Sequence, residues 1–353
     1  MHRARLCLLA LALGGCLTAH GAATPKLRIL TWSDYVPAEL AAEFQKETGI
    51  EVEVTLSNNE DIIARLRASN GAGFDLAQPS QDRIGGAQQR YHIYKPIDTR
   101  RVNLEQFLPD MLESVRKNTT QDGKLYALPY LWGAEGLVVN RKRAVVTDYL
   151  DLCKPELKGK TALRLRRPVL MAFAFAMGKD PFALYSDPKA YGEMIEEVGR
   201  KLIQCKANLA FTYNEKDEVL NGVRSGQLWA AMLWDSGAWT LNREVPAVRF
   251  VNPRAGALAW LDTFALPAQG QNDAGAYAWI NFLMRPENAA RVTRTVGNFT
   301  AARGALERVD PRLKTQFFRS FPEGFSKLRW YPAVPAGLED IERRTLERVR
   351  AAP

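Results

Sequence analysis

Residues 27–35 read Leu-Arg-Ile-Leu-Thr-Trp-Ser-Asp-Tyr, and this stretch decides the expected fold. Its apolar alternation predicts a strand, which ends in two aromatic rings flanking a hydroxyl and a carboxylate. Val36-Pro37 then begins a helix, where the missing N–H of proline does no harm. Ligands of open α/β sheets bind just beyond the carboxyl ends of strands. The candidate ligand residues are therefore Trp32, Ser33, Asp34 and Tyr35. Core packing of the two rings, with Asp34 capping the helix, is the alternative explanation.

The next fifty residues repeat the alternation of strand and helix. Apolar spacing predicts helices over 38–48, 62–68 and 84–90, and strands over 50–56 and 74–77. This β-α-β-α-β-α order predicts a parallel sheet covered by helices on both faces. The third strand should end beside the first, so Ser80 is expected in the same cleft as Trp32. Ser80 is equally placed to cap the following helix, and both roles are compatible.

Two later segments also place a tryptophan beside an aspartate. The continuous apolar run 228–234 predicts a buried parallel strand that ends at Trp234 and Asp235. The extended segment 257–266 contains Trp260 and Asp262, which share one face if the segment is a strand. Between the two halves, residues 124–140 look like two extended pieces separated at their glycines, as a crossing between lobes requires.

Three separate strand ends thus combine an indole ring with a carboxylate. Aromatic faces attract cations and carboxylates pair with ammonium groups, so the combination suits an amine ligand. Packing would explain the tryptophans but not the carboxylates beside them. The chain has no Gly-x-Ser-x-Gly, His-Glu-x-x-His or phosphate-loop motif, so we expect no enzyme. A secreted hydrolase using Asp34 and Asp262 is the alternative from another functional class.

Residues 1–23 predict a secretory signal peptide with a basic start and a short apolar run. Cleavage after Ala23 would release a soluble periplasmic protein. The alternative is a lipobox at residues 13–16, which would leave Cys16 as a lipid anchor. Either way the protein is expected to be exported and to remain outside the cytoplasmic membrane.

The composition of the chain limits its possible partners and cofactors. The formal charge of +9 falls to +7 without the signal peptide, and the arginines are scattered, so nucleic acid is not an expected partner. A mature chain of roughly 330 residues favours two lobes. His92 would be the remaining histidine after cleavage, which argues against a zinc site or a histidine-based triad, and we expect no cofactor. Cys153 and Cys205 are compatible with a disulfide or with two separately buried thiols.

At these motifs the chain resembles periplasmic polyamine-binding proteins, the spermidine/putrescine-type receptors of ABC importers. The resemblance extends from Leu27 to about Arg303. Its most specific segments are 32–37, 46–50, 74–76 with Pro79-Ser80, 128–130 with Trp132-Gly133, and 280–283 with Arg285-Pro286.

The resemblance implies an α/β clamshell of two lobes, each a mostly parallel sheet flanked by helices, joined by crossing strands. It implies one lobe from 24–132 plus 262–310 and another from 133–261 plus 311–353, with the ligand between them. Asp262 would be the principal ammonium partner, and the tryptophans would sandwich the methylene chain. A membrane permease is the implied partner of a monomeric protein. The implied walls comprise Trp32, Asp34, Tyr35 and Ser80 on the first lobe, Trp234 on the second, and Trp260 and Asp262 at the crossing.

The chain departs from that family in three places. Gln81-Asp82 follows Ser80 where the family has an aromatic, and Asn298 follows Gly297 where the family has an aromatic. Arg164, Arg166 and Arg167 follow the strand that starts the second lobe, where the family carries acids. Asp235 or Glu135 are candidates to compensate for the missing acid. The alternatives are a ligand such as an amino acid or ω-amino acid, held by Asp262 and an arginine, or arginines that face solvent and leave polyamine binding intact. A sensor that docks to a membrane receptor is a further alternative.

Overall fold

The computed structural model describes residues 24–324 and 327–353; the predicted signal peptide, with Cys16, lies outside this part of the chain. The strands are β1 (Lys26–Thr31), β2 (Glu51–Leu56), β3 (Leu76–Ala77), β4 (Tyr94–Lys95), β5 (Thr120–Gln121), β6 (Lys124–Leu125), β7 (Leu128–Asn140), β8 (Thr161–Leu163), β9 (Phe211–Thr212), β10 (Ala230–Trp234), β11 (Val248–Val251), β12 (Leu258–Phe264), β13 (Leu266–Pro267), β14 (Phe299–Thr300) and β15 (Arg329–Trp330). The α-helices are α1 (Ala38–Thr48), α2 (Asn59–Ala68), α3 (Gln81–Tyr91), α4 (Pro109–Thr119), α5 (Arg167–Ala176), α6 (Pro188–Lys206), α7 (Lys216–Arg224), α8 (Asp235–Glu244), α9 (Asp273–Leu283), α10 (Pro286–Val296), α11 (Pro311–Ser320) and α12 (Leu338–Ala351).

The first sheet has the strand order β2-β1-β3, and both pairings are parallel. Helix α1 buries Leu40 and Phe44 and ends at Gly49, whose φ of 75° is the left-handed conformation that glycine adopts without strain. The predicted alternation of strand and helix is therefore confirmed. Because β1 and β3 run side by side, their carboxyl ends bring Trp32 and Ser80 to the same edge of the sheet.

The second sheet has the order β15-β12-β7-β10-β8-β9, with β11 and β14 also paired to β7. Strand β10 runs parallel to β8, as the apolar run predicted, but antiparallel to β7. The two-lobed α/β architecture is confirmed, while the larger sheet is mixed, because β7 runs against β10, β11, β12 and β14.

Strand β7 continues through both glycines, so the predicted break between two extended pieces is wrong. A Cβ on Gly133 would lie 2.6 Å from Cζ2 of Trp260, and one on Gly136 would lie 2.6 Å from Cζ of Phe250. The glycines therefore make room for two aromatic rings that lie against the strand, and they do not interrupt it.

The register of β7 fixes which side chains share a face of this sheet. Glu135 lies between Trp234 on β10 and Leu258 on β12, and Gly133 lies opposite Trp260. Opposite residues of antiparallel strands point to the same side, and so do residues two apart on one strand. One face therefore carries Trp234, Glu135, Trp260 and Asp262.

Helices α5, α6 and α12 pack together beside the second sheet. Cys153 and Cys205 form a disulfide that ties the segment before β8 to the end of α6. None of the helices in the described part of the chain combines the length and apolarity needed to cross a bilayer.

Candidate functional site

A cavity of about 820 Å³ lies where the carboxyl ends of β1 and β3 face the second sheet. It collects residues from segments that are more than two hundred positions apart. Eight of the nine residues singled out in the sequence line it, namely Trp32, Ser33, Asp34, Tyr35, Ser80, Trp234, Trp260 and Asp262.

The turn after β1 presents its residues to this cavity. The indole Nε1 of Trp32 donates to the carbonyl oxygen of Gln78 at 2.9 Å, which fixes the ring against the neighbouring strand end. Asp34 has a φ of 67°, a left-handed conformation that aspartate tolerates better than most residues. The backbone thereby reverses and buries Tyr35, while Ser33 and Asp34 remain exposed at the rim.

Asp262 is the most buried of these residues. Its side chain is 3 % exposed, and each carboxylate oxygen accepts a hydroxyl hydrogen bond of 2.5 Å, from Tyr35 and from Ser80. Burial raises the pKa of Asp262 to about 7, although the two hydroxyl donors oppose the rise. Each oxygen keeps a further lone pair, so the carboxylate can accept a hydrogen bond from an ammonium group while it is shielded from bulk water.

Ser80 acts through its hydroxyl and not as a side-chain helix cap. It precedes α3, and the backbone N–H of Arg83 donates to its carbonyl oxygen, but no backbone N–H of that helix donates to its hydroxyl. The hydroxyl donates to Asp262 and accepts from Nδ2 of Asn59 at 2.9 Å. The side chain of Ser80 therefore lines the cavity and bonds to Asp262, and it does not cap the helix.

Glu135 is a second buried acid in the same cavity. It lies on β7 between Trp234 and Leu258 and is 2 % exposed. Burial raises the pKa of Glu135 to about 7, and the positive charge of Arg164 counteracts this. Oε1 of Glu135 has no hydrogen-bond partner among the described residues. A buried carboxylate in this state is costly unless a donor reaches it.

Asp235 does not line the cavity, although the sequence had placed it among the ligand residues. It is 1 % exposed, and it accepts hydrogen bonds from the backbone N–H of Ala134 at 3.0 Å and of Ser236 at 2.7 Å. Nδ2 of Asn298 donates to it at 2.8 Å. Because the donors are the protein's own N–H groups, Asp235 holds β7 against the start of α8.

The three arginines after β8 have different surroundings. Arg167 is buried and lies 3.2 Å from Asp82 and 3.1 Å from Glu342, so two acids neutralise it. Arg166 is exposed. The guanidinium of Arg164 lies 4.8 Å from the ring centroid of Trp234 and faces the cavity.

Several polar atoms of the wall are buried without a partner among the residues that the structure describes. They are Oε1 of Glu135, Nε of Arg164, Nε1 of Trp260 and the hydroxyl of Tyr331, and all four residues line the cavity. Buried polar groups in proteins are almost always hydrogen-bonded. These four atoms are the polar groups of the wall that a bound ligand could still satisfy.

Sequence reasoning missed part of this wall. Asp82, Arg83 and Tyr331 reach it from α3 and from the segment after β15, and no local pattern marks them. Glu135 did carry a signal, because it is the one charged residue in the otherwise apolar run of β7.

Comparison with known proteins agrees with the geometry. A family model described as "Bacterial extracellular solute-binding protein" matches residues 39–316. The spermidine/putrescine-binding periplasmic protein of Escherichia coli is 31% identical over 309 residues, covering 86% of this chain and 85% of that protein. The putrescine-binding periplasmic protein PotF of the same organism is 28% identical over 312 residues, covering 82% and 81%.

Solved structures share the fold. A putative spermidine/putrescine ABC transporter protein from Listeria monocytogenes superposes with a TM-score of 0.80 at 24% identity, covering 92% of this chain and 98% of that one. A spermidine/putrescine substrate-binding protein from Streptococcus pneumoniae gives 0.75 at 24% identity, covering 93% and 99%. At this identity the likeness establishes the architecture alone.

Proposed function

Because this chain belongs to the family of bacterial extracellular solute-binding proteins, we propose that it captures a polyamine-type cation for an ABC importer. The observation that carries the proposal is Asp262, a buried carboxylate with both oxygens oriented by hydroxyls, in a cavity walled by three indole rings. Its relatives of known name bind spermidine and putrescine.

In this proposal the ammonium group of the ligand donates to Asp262. The hydroxyls of Tyr35 and Ser80 hold the carboxylate in place, so little side-chain entropy is lost on binding. The methylene chain lies against the rings of Trp32, Trp234 and Trp260, where apolar contact and cation–π attraction both favour it. Ser33 and Asp34 contribute from the exposed rim.

We assign residues 24–132 and 262–310 to one lobe, and residues 133–261 and 311–353 to the other. The packing of α12 on α5 and α6, and of α11 on α8, supports placing the C-terminal helices with the second lobe. The lobes close over the ligand by a hinge motion, and the closed monomer docks on a membrane permease. Export by residues 1–23, with or without a lipid at Cys16, belongs to the same proposal.

The proposal makes the protein a carrier and not a hydrolase. The relatives that support it are named as binding proteins. The two hydroxyl donors orient the Asp262 carboxylate for cation binding, which requires no reacting bond. Turnover of model glycosides that is lost in Asp262→Asn would instead favour the carboxylate-based hydrolase.

Isothermal calorimetry of the mature protein with putrescine and with spermidine tests the proposal. We expect binding, and we expect Asp262→Asn to weaken it by about 2–5 kcal/mol, because a buried ammonium would lose its charge partner. Asp110→Asn is the matched control, since Asp110 is exposed on α4 away from the cavity.

The result has two ways to contradict the proposal. If no amine produces heat, the cargo is of another class, and the fold assignment is unaffected. If amines bind but Asp262→Asn and Asp110→Asn behave alike, the site lies elsewhere on the protein.

A further inference from the structure

We infer that the preferred cargo is a diamino acid, an amine chain with an ammonium group at each end and a carboxylate beside one of them. The inference rests on the proposed function, since it assigns the ligand of the same cavity. Three groups of the wall carry it: Glu135, Arg164 and Asp262.

Asp262 and Glu135 provide two places for ammonium groups. Asp262 already has its hydroxyl donors, whereas Glu135 has none among the described residues and is nine-tenths buried or more. Neither acid forms an ion pair within the described chain. A ligand with two ammonium groups would satisfy both.

Arg164 and Trp260 require a hydrogen-bond acceptor from the ligand. Nε of Arg164 and Nε1 of Trp260 are buried N–H donors without an acceptor in the described part of the protein. Ammonium groups supply donors and no acceptor, so a plain diamine leaves both N–H groups unmatched. A ligand carboxylate can accept from both, and it would neutralise the Arg164 guanidinium that otherwise repels the nearby ammonium.

The register of the sheet sets the length of the ligand. Leu258 lies opposite Glu135 and is four residues from Asp262 on β12. The Cα atoms of the two acids are therefore roughly 14 Å apart along the strand. A chain of four or five carbon atoms between two nitrogens, with a hydrogen bond at each end, is of comparable length, so one such ligand can reach both acids.

The surface between the two acids is apolar. The ring of Trp260 lies over Gly133, in the row of the sheet between those of Glu135 and Asp262. The methylene segment of a diamino acid would cover this ring. Its end with both the ammonium and the carboxylate would then face Glu135 and Arg164 together.

The net charge of the cavity groups also matches that of a diamino acid. When ionised, Asp262, Glu135 and Arg164 sum to one negative charge, and a diamino acid carries one positive charge. A diamine carries two positive charges and would leave the complex with an excess buried charge, which is unfavourable. A neighbouring cluster of two arginines and two acids sums to zero and does not alter this balance; its members are Arg83, Arg167, Asp82 and Glu342.

Calorimetry with pairs of ligands that differ by one carboxylate tests the inference. The probes are ornithine against putrescine and lysine against cadaverine, each titrated into the mature protein. We expect at least one diamino acid to bind on the order of 30-fold more tightly than its diamine, the factor that corresponds to one satisfied buried charge.

Arg164→Gln identifies the group responsible. We expect the variant to lose the preference for the diamino acid while it keeps or gains affinity for the diamine. Arg200→Gln is the control, because Arg200 is exposed on α6 outside the cavity. Both variants should unfold at the temperature of the parent protein, so that an affinity change reports the site.

Equal or tighter binding of the diamine overturns the inference and leaves the proposed function standing. A preference for the diamino acid that persists in Arg164→Gln also overturns it. Absence of binding by all four amines, with the protein folded, contradicts the proposed function itself.

Discussion

The phenol of Tyr35 donates a hydrogen bond of 2.5 Å to Oδ2 of Asp262, a residue 227 positions further along the chain. Oδ1 of the same carboxylate accepts from Ser80. Tyr35 is itself fixed, because the hydroxyl of Tyr130 donates to its carbonyl oxygen. The acid of the proposed site is thus held in one orientation before any ligand arrives, which reduces the entropic cost of binding.

Removing the Tyr35 hydroxyl should weaken amine binding without disturbing the fold. Tyr35→Phe keeps the ring and its edge-to-face contact with Tyr130. We expect a loss of about 1.5–3 kcal/mol in amine affinity, the usual value of a hydrogen bond to a charged group. Calorimetry measures it, with Tyr91→Phe as the control because Tyr91 lies outside the cavity. Equal affinities in the two variants would contradict an orienting role for Tyr35.

Amine affinity should fall as the pH falls through 7. Burial raises the pKa of Asp262 and of Glu135 to about 7, so each carboxyl holds a proton below that pH. An ammonium ligand must displace these protons, which costs up to about tenfold in affinity per pH unit for each group. Titrations between about pH 6 and pH 8 measure the slope. A pH-independent affinity would show that neither acid contacts the cation.

The raised pKa values of Asp262 and Glu135 make the ligand-free protein less stable as the pH rises, whereas amine affinity increases. The folded acids bind protons more tightly than the unfolded ones, whose ordinary pKa values are 3.8 and 4.5. Their contribution to stability therefore declines as the pH rises from about 4 to about 7. Thermal unfolding with and without a bound amine should diverge across this range, because the ligand stabilises the ionised form.

Gly133→Ala should displace the ring of Trp260. The new Cβ would lie 2.6 Å from Cζ2 of Trp260 and 2.6 Å from Nδ2 of Asn298, distances that force one of them to move. We expect a loss of stability of about 1–3 kcal/mol together with weaker amine binding. Gly192→Ala on α6 is the control, because the new Cβ would meet only Ile341 of α12, at an ordinary distance of 3.9 Å. Denaturant unfolding and calorimetry that place the two variants at the same values would contradict the close approach.

Arg167→Met should be strongly destabilising. The guanidinium lies within 3.2 Å of both Asp82 and Glu342, which are themselves buried. Removing it leaves Glu342 without an ion-pair partner among the described residues and Asp82 with Arg83 alone, at a cost of about 3–5 kcal/mol. Arg343→Met breaks an exposed pair with Glu347 and should cost less than about 1 kcal/mol. Urea unfolding distinguishes the two, and similar small losses would mean that Arg167 is not buried in solution.

Local patterns predicted the elements that position the site. The strand at residues 27–35, the strand–helix repeat after it and the shared face of Trp260 and Asp262 follow from apolar periodicity, and the structure confirms them. Trp32 and Ser80 lie together because β1 and β3 are parallel neighbours, whereas Trp234 and Trp260 share one face of the second sheet through their pairing with β7. These features depend on neighbours in sequence or on the general rules of α/β sheets.

The parts that could not be predicted depend on contacts between distant residues. Asp235 resembled the other acids in sequence, but three N–H donors of the protein occupy it. Arg167 lines the cavity as Arg164 does, but the sequence does not show that Asp82 and Glu342, 85 and 175 residues away, neutralise it. The two glycines of β7 suggested a break, since nothing local shows that rings from β11 and β12 fill the space.

Strand β7 pairs with β12 and β14 along its first half and with β10 and β11 along its second half. This uninterrupted strand therefore pairs with strands of both halves of the molecule. A fragment that ends or begins within β7 would not contain the complete second sheet. The chain should accordingly fold as one cooperative unit. Proteolytic cleavage within this strand should unfold both halves together.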